Sequence, residues 1–344
     1  MEIAPNLSER VSAALNAITL PRRRFIVAST TVWRLHGERF QAVTSEEPIL
    51  LPDGERYKHV ATVGRVYDAL VRAQADRASA IVAIGGGVLG DIAGFAAATF
   101  LRGVPFVQIP TTLLAQVDSA IGGKVGVNHP MGKNLIGAFH QPAAVLVDPV
   151  LLATLPRREF RAGLYEVVKY GLIASRELFG RIATGLDALF ARDVAALVPA
   201  ISECCTIKAS IVERDERESG PRRVLNLGHT VGHALEAVTK YRRFRHGEAV
   251  AYGLLAAAEL GVRRGVMPEA DRQALASLIA AMGPLPAVAD LEAAQIVEAA
   301  GRDKKVIAGT LHFVLPGPIG SIQIVTDVTS AELQRTLVGI GLRG

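Results

Sequence analysis

Two histidines stand four residues apart in the segment NLGHTVGHALE, and a third follows in HGEAVAYG. On a helix, His229 and His233 would share one face, because residues i and i+4 lie one turn apart. That spacing permits metal binding, and His246 lies close by in the sequence. The H-E-x-x-H pattern of metalloproteases is not met, since Thr230 stands where the glutamate belongs. A histidine pair alone is more often structural than ligating, so both interpretations stay open.

A carboxylate lies in the segment AGLYEVVKYG, on a helix predicted to be apolar. Glu166 stands one turn before Lys169 and could form an ordinary surface ion pair with it. Its neighbours Leu164, Val167 and Val168 indicate instead a buried helix, where a carboxylate needs a partner such as a metal or a lysine. One carboxylate with two imidazoles would leave zinc an open position for substrate oxygens.

A glycine-rich loop follows an apolar run over residues 80–84 and precedes a helix expected over 91–99. The glycines that fit the pattern G-x-G-x-x-G are Gly85, Gly87 and Gly90. In this context the amides at a helix N-terminus can approach a pyrophosphate. The acidic residue that a Rossmann site places on the next strand is missing, since Gln108 stands there between valine and isoleucine. A tight strand-to-helix turn therefore remains an alternative.

Polar groups crowd among glycines in the segment PTTLLAQVDSAIGGKVGVNHPMGKNLIGAFHQ, residues 110–141. They are Thr111, Thr112, Asp118, Lys124, Asn128, Lys133 and Asn134. Two lysines beside glycine and asparagine suit the recognition of a phosphate or a carboxylate. The alternative is a solvated loop.

The elements that would position these residues alternate in the first part of the chain. Short β-rich runs over 25–29, 80–84, 104–109 and 144–147 predict buried strands, and helical spacing over 60–75 places a helix between the first two. This order predicts a mostly parallel sheet covered by helices. After about Pro149, stretches rich in Ala, Leu and Glu predict a mainly helical second domain, with a strand pair over 311–315 and 322–325. We therefore expect an α/β domain over 1–150 and a helical domain over 151–344.

Length and composition limit the kinds of protein that this sequence can form. The 344 residues exceed the usual size of one core, and half are apolar with a mean hydropathy of +0.29, which favours a folded protein of two domains. The adjacent Cys204 and Cys205 suit a reducing compartment, and no signal peptide or run of 18 apolar residues is evident, so we expect a soluble cytoplasmic protein.

The chain carries a formal charge of +5, which could serve an anionic substrate or reflect an arginine-rich surface. Its basic runs over 22–24 and 242–245 are short and separate, so we expect no nucleic-acid partner and no membrane partner.

Taken together, several blocks resemble the 3-dehydroquinate synthase family. They are GGGVLGDIAGFAAATFLRG, the segment over 110–141, AGLYEVVKYG, LNLGHTVGHALE and HGEAV, with LPDGERYK upstream and RDKK downstream. Their order and spacing fit as well, and the match extends from about Ile49 to Ile324. Departures from the family pattern are Ser29, Val125, Tyr165 and Val231, together with a poorly matched region before Pro48.

The resemblance implies a Rossmann-like N-terminal domain, a helical metal-binding C-terminal domain, an active site between them and a homodimer. Zinc or cobalt would be held by Glu166, His229 and His246, while His233 would serve the site without being the third ligand. NAD would contact a set of residues from three blocks, namely Glu55, Lys58, Gly86, Gly87, Gly90, Asp91, Thr111, Thr112, Asp118, Lys124 and Lys133. Glu55 would thereby fill the role of the missing ribose carboxylate.

The implied substrate is the small phosphorylated acid 3-deoxy-D-arabino-heptulosonate 7-phosphate. Its binding residues would be Arg102, Asp118, Lys208 and one or both of Lys304 and Lys305. The catalytic set would be Lys124, Lys133, Asn134, Lys169, Arg222, Asn226 and His233. The implied chemistry is transient oxidation of a ring hydroxyl, elimination of phosphate, re-reduction and an intramolecular aldol closure, so NAD is regenerated.

Other functions stay open from the sequence. A related sugar phosphate cyclase would be expected to alter the group formed by Lys133, His233 and Lys304, all of which this chain retains. A metal-dependent alcohol or glycerol dehydrogenase of the same architecture would release reduced cofactor and would not need the lysine cluster. A nucleic-acid-binding protein is the third possibility, tested by salt-dependent binding to duplex DNA.

Overall fold

The structure is a computed structural model that describes residues 1–301, 306–307 and 310–344. The chain divides into two compact units. The first unit comprises Met1–Phe160 and Arg192–Ala209, and the second comprises Arg161–Ala191 and Ser210–Gly344.

The first unit is built on a parallel sheet of six strands in the order β1-β8-β5-β4-β2-β3. These strands are β1 (Glu2–Ile3), β2 (Arg23–Ser29), β3 (Ile49–Leu51), β4 (Ser79–Gly85), β5 (Phe106–Pro110) and β8 (Ala144–Val147), and β6 (Lys124–His129) with β7 (Gly132–Phe139) forms a separate antiparallel hairpin. The helices are α1 (Val11–Asn16), α2 (Thr30–His36), α3 (Val60–Arg72) and α4 (Gly87–Thr99).

The central strands bury both of their faces. Phe25 and Val27 of β2 enter one apolar cluster, with α3 and α4, whereas Ile26 and Ala28 enter a second cluster on the opposite face, with α1. Successive side chains of a strand point to opposite faces, so a run of apolar residues without alternation is what a covered parallel sheet requires. The α/β fold class predicted from the sequence is confirmed.

One local expectation was wrong. The helix expected from residue 91 begins at Gly87, because the weak helix propensity of the glycines is overridden when the first turn of α4 packs above the sheet. The segment over 110–141, for which a solvated loop was the alternative, contains a π-helix, Ala115–Ser119, and the strands β6 and β7. Its glycines interrupt the alternation by which a hairpin is recognised.

The second unit is mainly helical. Its helices are α5 (Arg157–Ala174) and α8 (Val194–Arg214), which each contribute residues to both units, and α6 (Arg176–Thr184), α7 (Leu186–Phe190), α9 (His229–Val238), α10 (His246–Arg263), α11 (Glu269–Ala281), α12 (Ala293–Gly301) and α13 (Ser330–Gly339). Its strand pairs are β9 (Val306–Ile307) with β10 (Thr310–Leu311), and β11 (Phe313–Pro316) with β12 (Ile322–Val325). The antiparallel pair β11–β12 confirms the strand pair expected near the end of the chain.

Glycines set the spacing of the helices that carry the histidines. A Cβ atom on Gly253 of α10 would lie 1.7 Å from the carbonyl oxygen of Gly228, the residue before α9. A Cβ atom on Gly247 would lie 1.9 Å from the carbonyl oxygen of Ala162 in α5. Main chain therefore meets main chain at both points, an approach that only glycine allows.

Within the part of the chain that the structure describes, one helix, α8, is long and apolar enough to cross a membrane by length and composition alone, and 33% of its apolar window is buried. Its body carries Lys208, whose ammonium contacts the Asp118 carboxylate at 2.6 Å within the first unit. Its apolar face includes the buried Leu197 and Ile201. Leu197, Ile201 and the ion pair of Lys208 show that one side of α8 packs against other segments of the protein.

Candidate functional site

The second unit brings together the carboxylate and the histidines that the sequence singled out. Glu166 on α5 is fully buried, and its Oε1 atom lies 3.6 Å from the Nε2 atoms of both His229 and His246. His229 opens α9 and His246 opens α10, so three helices supply the cluster. Lys169 lies one turn along α5, with its Nζ atom 2.5 Å from Glu166 Oε2.

Contacts at Nδ1, the ring nitrogen that faces away from Glu166, fix the orientation of the His229 and His246 imidazole rings. His229 Nδ1 lies 3.1 Å from the carbonyl oxygen of Leu227, and His246 Nδ1 lies 3.1 Å from Oε2 of Glu236. With Nδ1–H donating to these oxygens, Nε2 is the ring nitrogen left to bind a metal ion beside Glu166. Metal-binding histidines are held in this way, by a carbonyl or carboxylate on the nitrogen opposite the metal.

The charges around His246 also suit a cation. Burial alone would lower the pKa of His246, but Glu236 and Glu166 outweigh this effect and raise it to about 10. The two carboxylates therefore favour positive charge at this point, which a divalent cation would supply. Two imidazole nitrogens and a carboxylate oxygen form a donor set suited to zinc or cobalt with an open coordination position. The residues present fit such a metal.

His233 lies within the same cluster. Its ring centroid is 5.4 Å from that of His229 and 5.8 Å from that of His246, and one nitrogen of each of the three rings lies within 4.8 Å of the others. The part of the chain that the structure describes thus offers His233 as a further nitrogen near the metal position. Its role beside the metal, rather than on it, stays a prediction.

The turn before α9 carries two more of the residues assigned by resemblance. Arg222 and Asn226 lie in a 3-10 helix, Pro221–Asn226. The Arg222 side chain is buried, with its guanidinium donating to the carbonyl oxygen of Glu216. Asn226 Nδ2 donates to Glu218 Oε1 at 2.8 Å. Both polar side chains are therefore held by the preceding loop.

In the first unit, the glycine loop forms the N-terminus of α4. Gly86 is its N-cap, and a Cβ atom on Gly87 would lie 2.7 Å from the hydroxyl oxygen of Ser119. Thr112 lies beside Gly86, where a Cβ atom would approach its side chain to 3.0 Å. Free backbone amides at a helix N-terminus next to hydroxyl groups fit the pyrophosphate of a dinucleotide.

A buried lysine organises the polar groups around this loop. Lys58 Nζ lies 2.5 Å from Asp91 Oδ2 and 2.5 Å from Asn134 Oδ1, which joins a residue of α4 to one of β7. Burial would lower the pKa of Lys58, but the carboxylates of Asp91 and Glu55 raise it, so the ammonium stays charged. The charged ammonium holds Asp91 of α4 and Asn134 of β7 together.

Glu55 belongs to the same network. Its Oε1 atom accepts a hydrogen bond from Asn128 Nδ2 at 2.8 Å and lies 3.8 Å from Lys133 Nζ. Glu55, Lys58, Asp91, Lys133 and Asn134 are thus brought together from three segments of the sequence. A carboxylate near the glycine loop, in place of the one missing from β5, fits a ribose hydroxyl.

The remaining residues assigned by resemblance lie in different places. Asp118 accepts from Lys208 Nζ at 2.6 Å, and Lys124 opens β6. Arg102 follows the C-terminal end of α4, with φ of 70°, so the length of the helix separates it from the glycine loop. Lys304 and Lys305 lie outside the described residues.

Sequence reasoning missed several residues that support these groups. They are Ser119, Asp215, Glu218 and Glu236. Glu236 left one signal in the sequence, because it stands seven residues after His229 and so shares its helix face. Ser119 lies in a π-helix and Asp215 and Glu218 lie in a loop, and their partners become visible only when the chain is folded.

The parallel α/β unit and the helical unit, with the sites they carry, define a class: enzymes that use a nucleotide cofactor with a divalent metal. Residues 48–162 match the model described as 3-dehydroquinate synthase N-terminal, and residues 163–306 match the model described as 3-dehydroquinate synthase C-terminal. The chain belongs to the 3-dehydroquinate synthase family.

Named relatives extend this match over most of the chain. The chain is 47% identical over 335 residues to a 3-dehydroquinate synthase of Citrifermentans bemidjiense, covering 95% of this chain and 92% of that protein. It is 50% identical over 325 residues to a 3-dehydroquinate synthase of a Synechococcus species, covering 92% of this chain and 88% of that protein.

Solved structures share the fold. A 2-epi-5-epi-valiolone synthase from Streptomyces hygroscopicus with NAD+ and Zn2+ bound superimposes with a TM-score of 0.89 at 29% identity, covering 98% of this chain and 95% of that one. A 2-deoxy-scyllo-inosose synthase complexed with carbaglucose-6-phosphate, NAD+ and Co2+ gives a TM-score of 0.85 at 27% identity, covering 97% and 95%. A probable glycerol dehydrogenase from Sinorhizobium meliloti, at 19% identity with a TM-score of 0.68 and coverage of 98% and 95%, shares the fold alone.

Proposed function

We propose that this protein is a lyase that converts 3-deoxy-D-arabino-heptulosonate 7-phosphate to 3-dehydroquinate and inorganic phosphate, a step of the shikimate pathway. The observation that carries the proposal is the Glu166–His229–His246 cluster in a chain that matches both halves of the family. The cofactors are NAD and a zinc or cobalt ion.

When bound, NAD takes up and returns a hydride, and the metal polarises the oxygen on the carbon that is oxidised. Glu166, His229 and His246 hold the metal, and Lys58 holds Asp91 and Asn134 beside the nucleotide. Lys124, Lys133, Lys169, Lys208 and Arg222 supply positive charge for the phosphate and the carboxylate of the substrate, because charge-assisted hydrogen bonds to such groups are strong. Arg102, Lys304 and Lys305 are kept as further candidates for this role.

The proposal is tested with the purified protein, NAD and zinc or cobalt. With the heptulosonate phosphate, we expect one inorganic phosphate per 3-dehydroquinate formed and no accumulation of NADH. Net NADH would support a dehydrogenase instead. Phosphate release from glucose 6-phosphate, but not from the heptulosonate phosphate, would assign the chain to a related cyclase.

We also propose that the protein is a cytoplasmic homodimer. The hairpin β6–β7 exposes Met131, Leu135 and Phe139 by 84%, 49% and 47%, and an exposed apolar stripe of this kind suits burial against a second copy. The two free cysteines fit a reducing compartment. We expect light scattering to give twice the chain mass of 36.5 kDa, and Leu135→Lys with Phe139→Lys to reduce it toward one chain. An unchanged dimer in the double variant would remove the hairpin from the interface.

A further inference from the structure

Asp215 gathers the hydrogen bonds of the loop that precedes α9. Its Oδ1 atom accepts from the backbone amide of Ser219 at 2.9 Å and from the hydroxyl of Ser219 at 3.1 Å. Its Oδ2 atom accepts from the amides of Gly220 at 2.7 Å and Arg222 at 3.1 Å. A single buried carboxylate therefore closes the turn over residues 215–222.

This turn fixes both the backbone amide and the guanidinium of Arg222. Asp215 binds the backbone amide of this residue, while the carbonyl oxygen of Glu216, the next residue after Asp215, accepts from its guanidinium. The same loop places Glu218, in a left-handed conformation with φ of 58°, where its carboxylate accepts from Asn226. Two of the polar groups assigned to catalysis thus depend on the geometry of one loop.

The hydrogen bonds that close the turn also keep the Asp215 carboxylate charged. Burial would raise the pKa of its carboxyl group, but the bonds from Gly220, Ser219 and Arg222 hold the pKa well below its ordinary value. A carboxylate that accepts several backbone amides stays ionised at neutral pH and forms stronger hydrogen bonds than a neutral acceptor does. An asparagine of the same shape would lose the charge and one of the two acceptor oxygens.

We propose that Asp215 is a positioning residue for Arg222, which it holds in place for the anionic substrate by closing the turn over 215–222. This role rests on the proposed function, because it gives Arg222 a substrate to bind. Asp215 acts mainly through Arg222, so its contribution to catalysis shrinks sharply when the Arg222 guanidinium is removed, and only the smaller part that reaches Asn226 through Glu218 is left.

A double-mutant cycle tests that dependence. We expect Asp215→Asn to lower kcat/KM for the heptulosonate phosphate by roughly 10- to 100-fold, since small misplacements of substrate-positioning groups have effects of this size. In an Arg222→Ala background the same change should lower kcat/KM by less than about threefold, because the two residues form one unit. Equal losses in both backgrounds, or no loss in either, would overturn the proposal.

Two controls separate positioning from general damage. Zinc content should be equal in the wild type and Asp215→Asn. Asp76→Asn removes a carboxylate that accepts from the amide of Ala78 in a turn of the first unit, and it should leave kcat/KM unchanged.

Amide hydrogen exchange tests, without substrate, whether Asp215 holds the turn over residues 215–222 closed. Asp215→Asn should speed amide exchange over residues 216–222 and leave α9 protected, whereas unchanged exchange in the loop would overturn the proposal. If the wild type released no phosphate, the proposed function would fail, and exchange would still decide whether Asp215 holds the turn.

Discussion

At the scale of single residues, the metal centre depends on groups that hydrogen-bond to the metal-binding histidines without contacting the metal themselves. Glu236 is 4% exposed and binds Nδ1 of His246, and the Leu227 carbonyl does the same for His229. Each contact selects the tautomer whose Nε2 atom can bind a cation. The ring orientations are therefore set by the protein before any metal binds.

Glu236→Gln should weaken zinc binding by about 10- to 100-fold, because an amide is a poorer acceptor for the Nδ1 proton than a carboxylate. Competition with a chromogenic chelator measures the affinity directly and needs no turnover. Glu259→Gln, on the same helix as His246 but paired with Arg263, is the matched control and should leave zinc affinity unchanged. An unaltered affinity in Glu236→Gln would show that this carboxylate does not orient His246.

Of the residues assigned to the metal, only Glu166 could be singled out because its chemistry conflicts with its surroundings, whereas the choice of His229 and His246 came from the family resemblance. Glu166 stands out as a carboxylate on an apolar helix, and the structure buries it completely beside Lys169. Glu236 and Asp215 could not be found in this way. A glutamate on a helix and an aspartate in a loop have ordinary solvent-exposed roles, and only the folded chain reveals the imidazole or the amides they bind.

At the scale of elements, α4 can present the amides of its N-terminus to a nucleotide because Gly86 and Gly87, where the helix begins, carry no side chains. We expect Gly87→Ala to lower NAD affinity by about tenfold or more, equivalent to about 1.4 kcal/mol, because its Cβ atom would lie 2.7 Å from Ser119 Oγ and displace the loop. Calorimetric titration with NAD measures this change.

Gly64→Ala is the control for the Gly87 prediction. Gly64 lies within α3, and a Cβ atom there would meet nothing within 4 Å. This variant should keep its NAD affinity and gain about 0.5–1 kcal/mol of stability, since alanine favours helix over glycine. Equal NAD affinities in the two variants would contradict a nucleotide site at Gly87.

The last helix, α13, gives a prediction about pH. Hydrogen bonds from Arg264 and Thr329 hold the pKa of Glu332, in the capping box of α13, at about 2. A lowered pKa stabilises the fold above the ordinary value near 4.5, and this stabilisation is lost as pH falls from there toward 2. Glu332→Gln should therefore lower Tm by about 2 °C at pH 7, and the difference should shrink below pH 4.5. A difference that grows in acid would contradict this sign.

The strands of the parallel sheet and the helix α3 could be predicted from the sequence, since an unbroken apolar run and a helical period are strong local patterns. The start of α4 and the hairpin β6–β7 could not. In both, glycines weaken the local preference, and the final conformation is set by packing against the sheet and by the bridge from Lys58 to Asn134.

At the scale of the whole molecule, the two cofactors are assigned to different units. In hydrogen exchange, NAD should protect residues 85–91 and the hairpin β6–β7 most strongly, and zinc should protect the first turns of α9 and α10 most strongly. Each ligand stabilises the segments that it contacts. The assignment would be wrong if the largest protection by either ligand fell in the other set of segments.

The contacts of Gly247 with Ala162 and of Gly253 with Gly228 bear on how new activities arise on this fold. Main-chain contacts set the distances between these helices. Those distances therefore do not depend on the side chains that surround the metal centre. The residues that select a substrate can therefore change, in evolution or by design, while the distances between the helices stay the same. In a saturation library, Gly247 and Gly253 should accept no other residue.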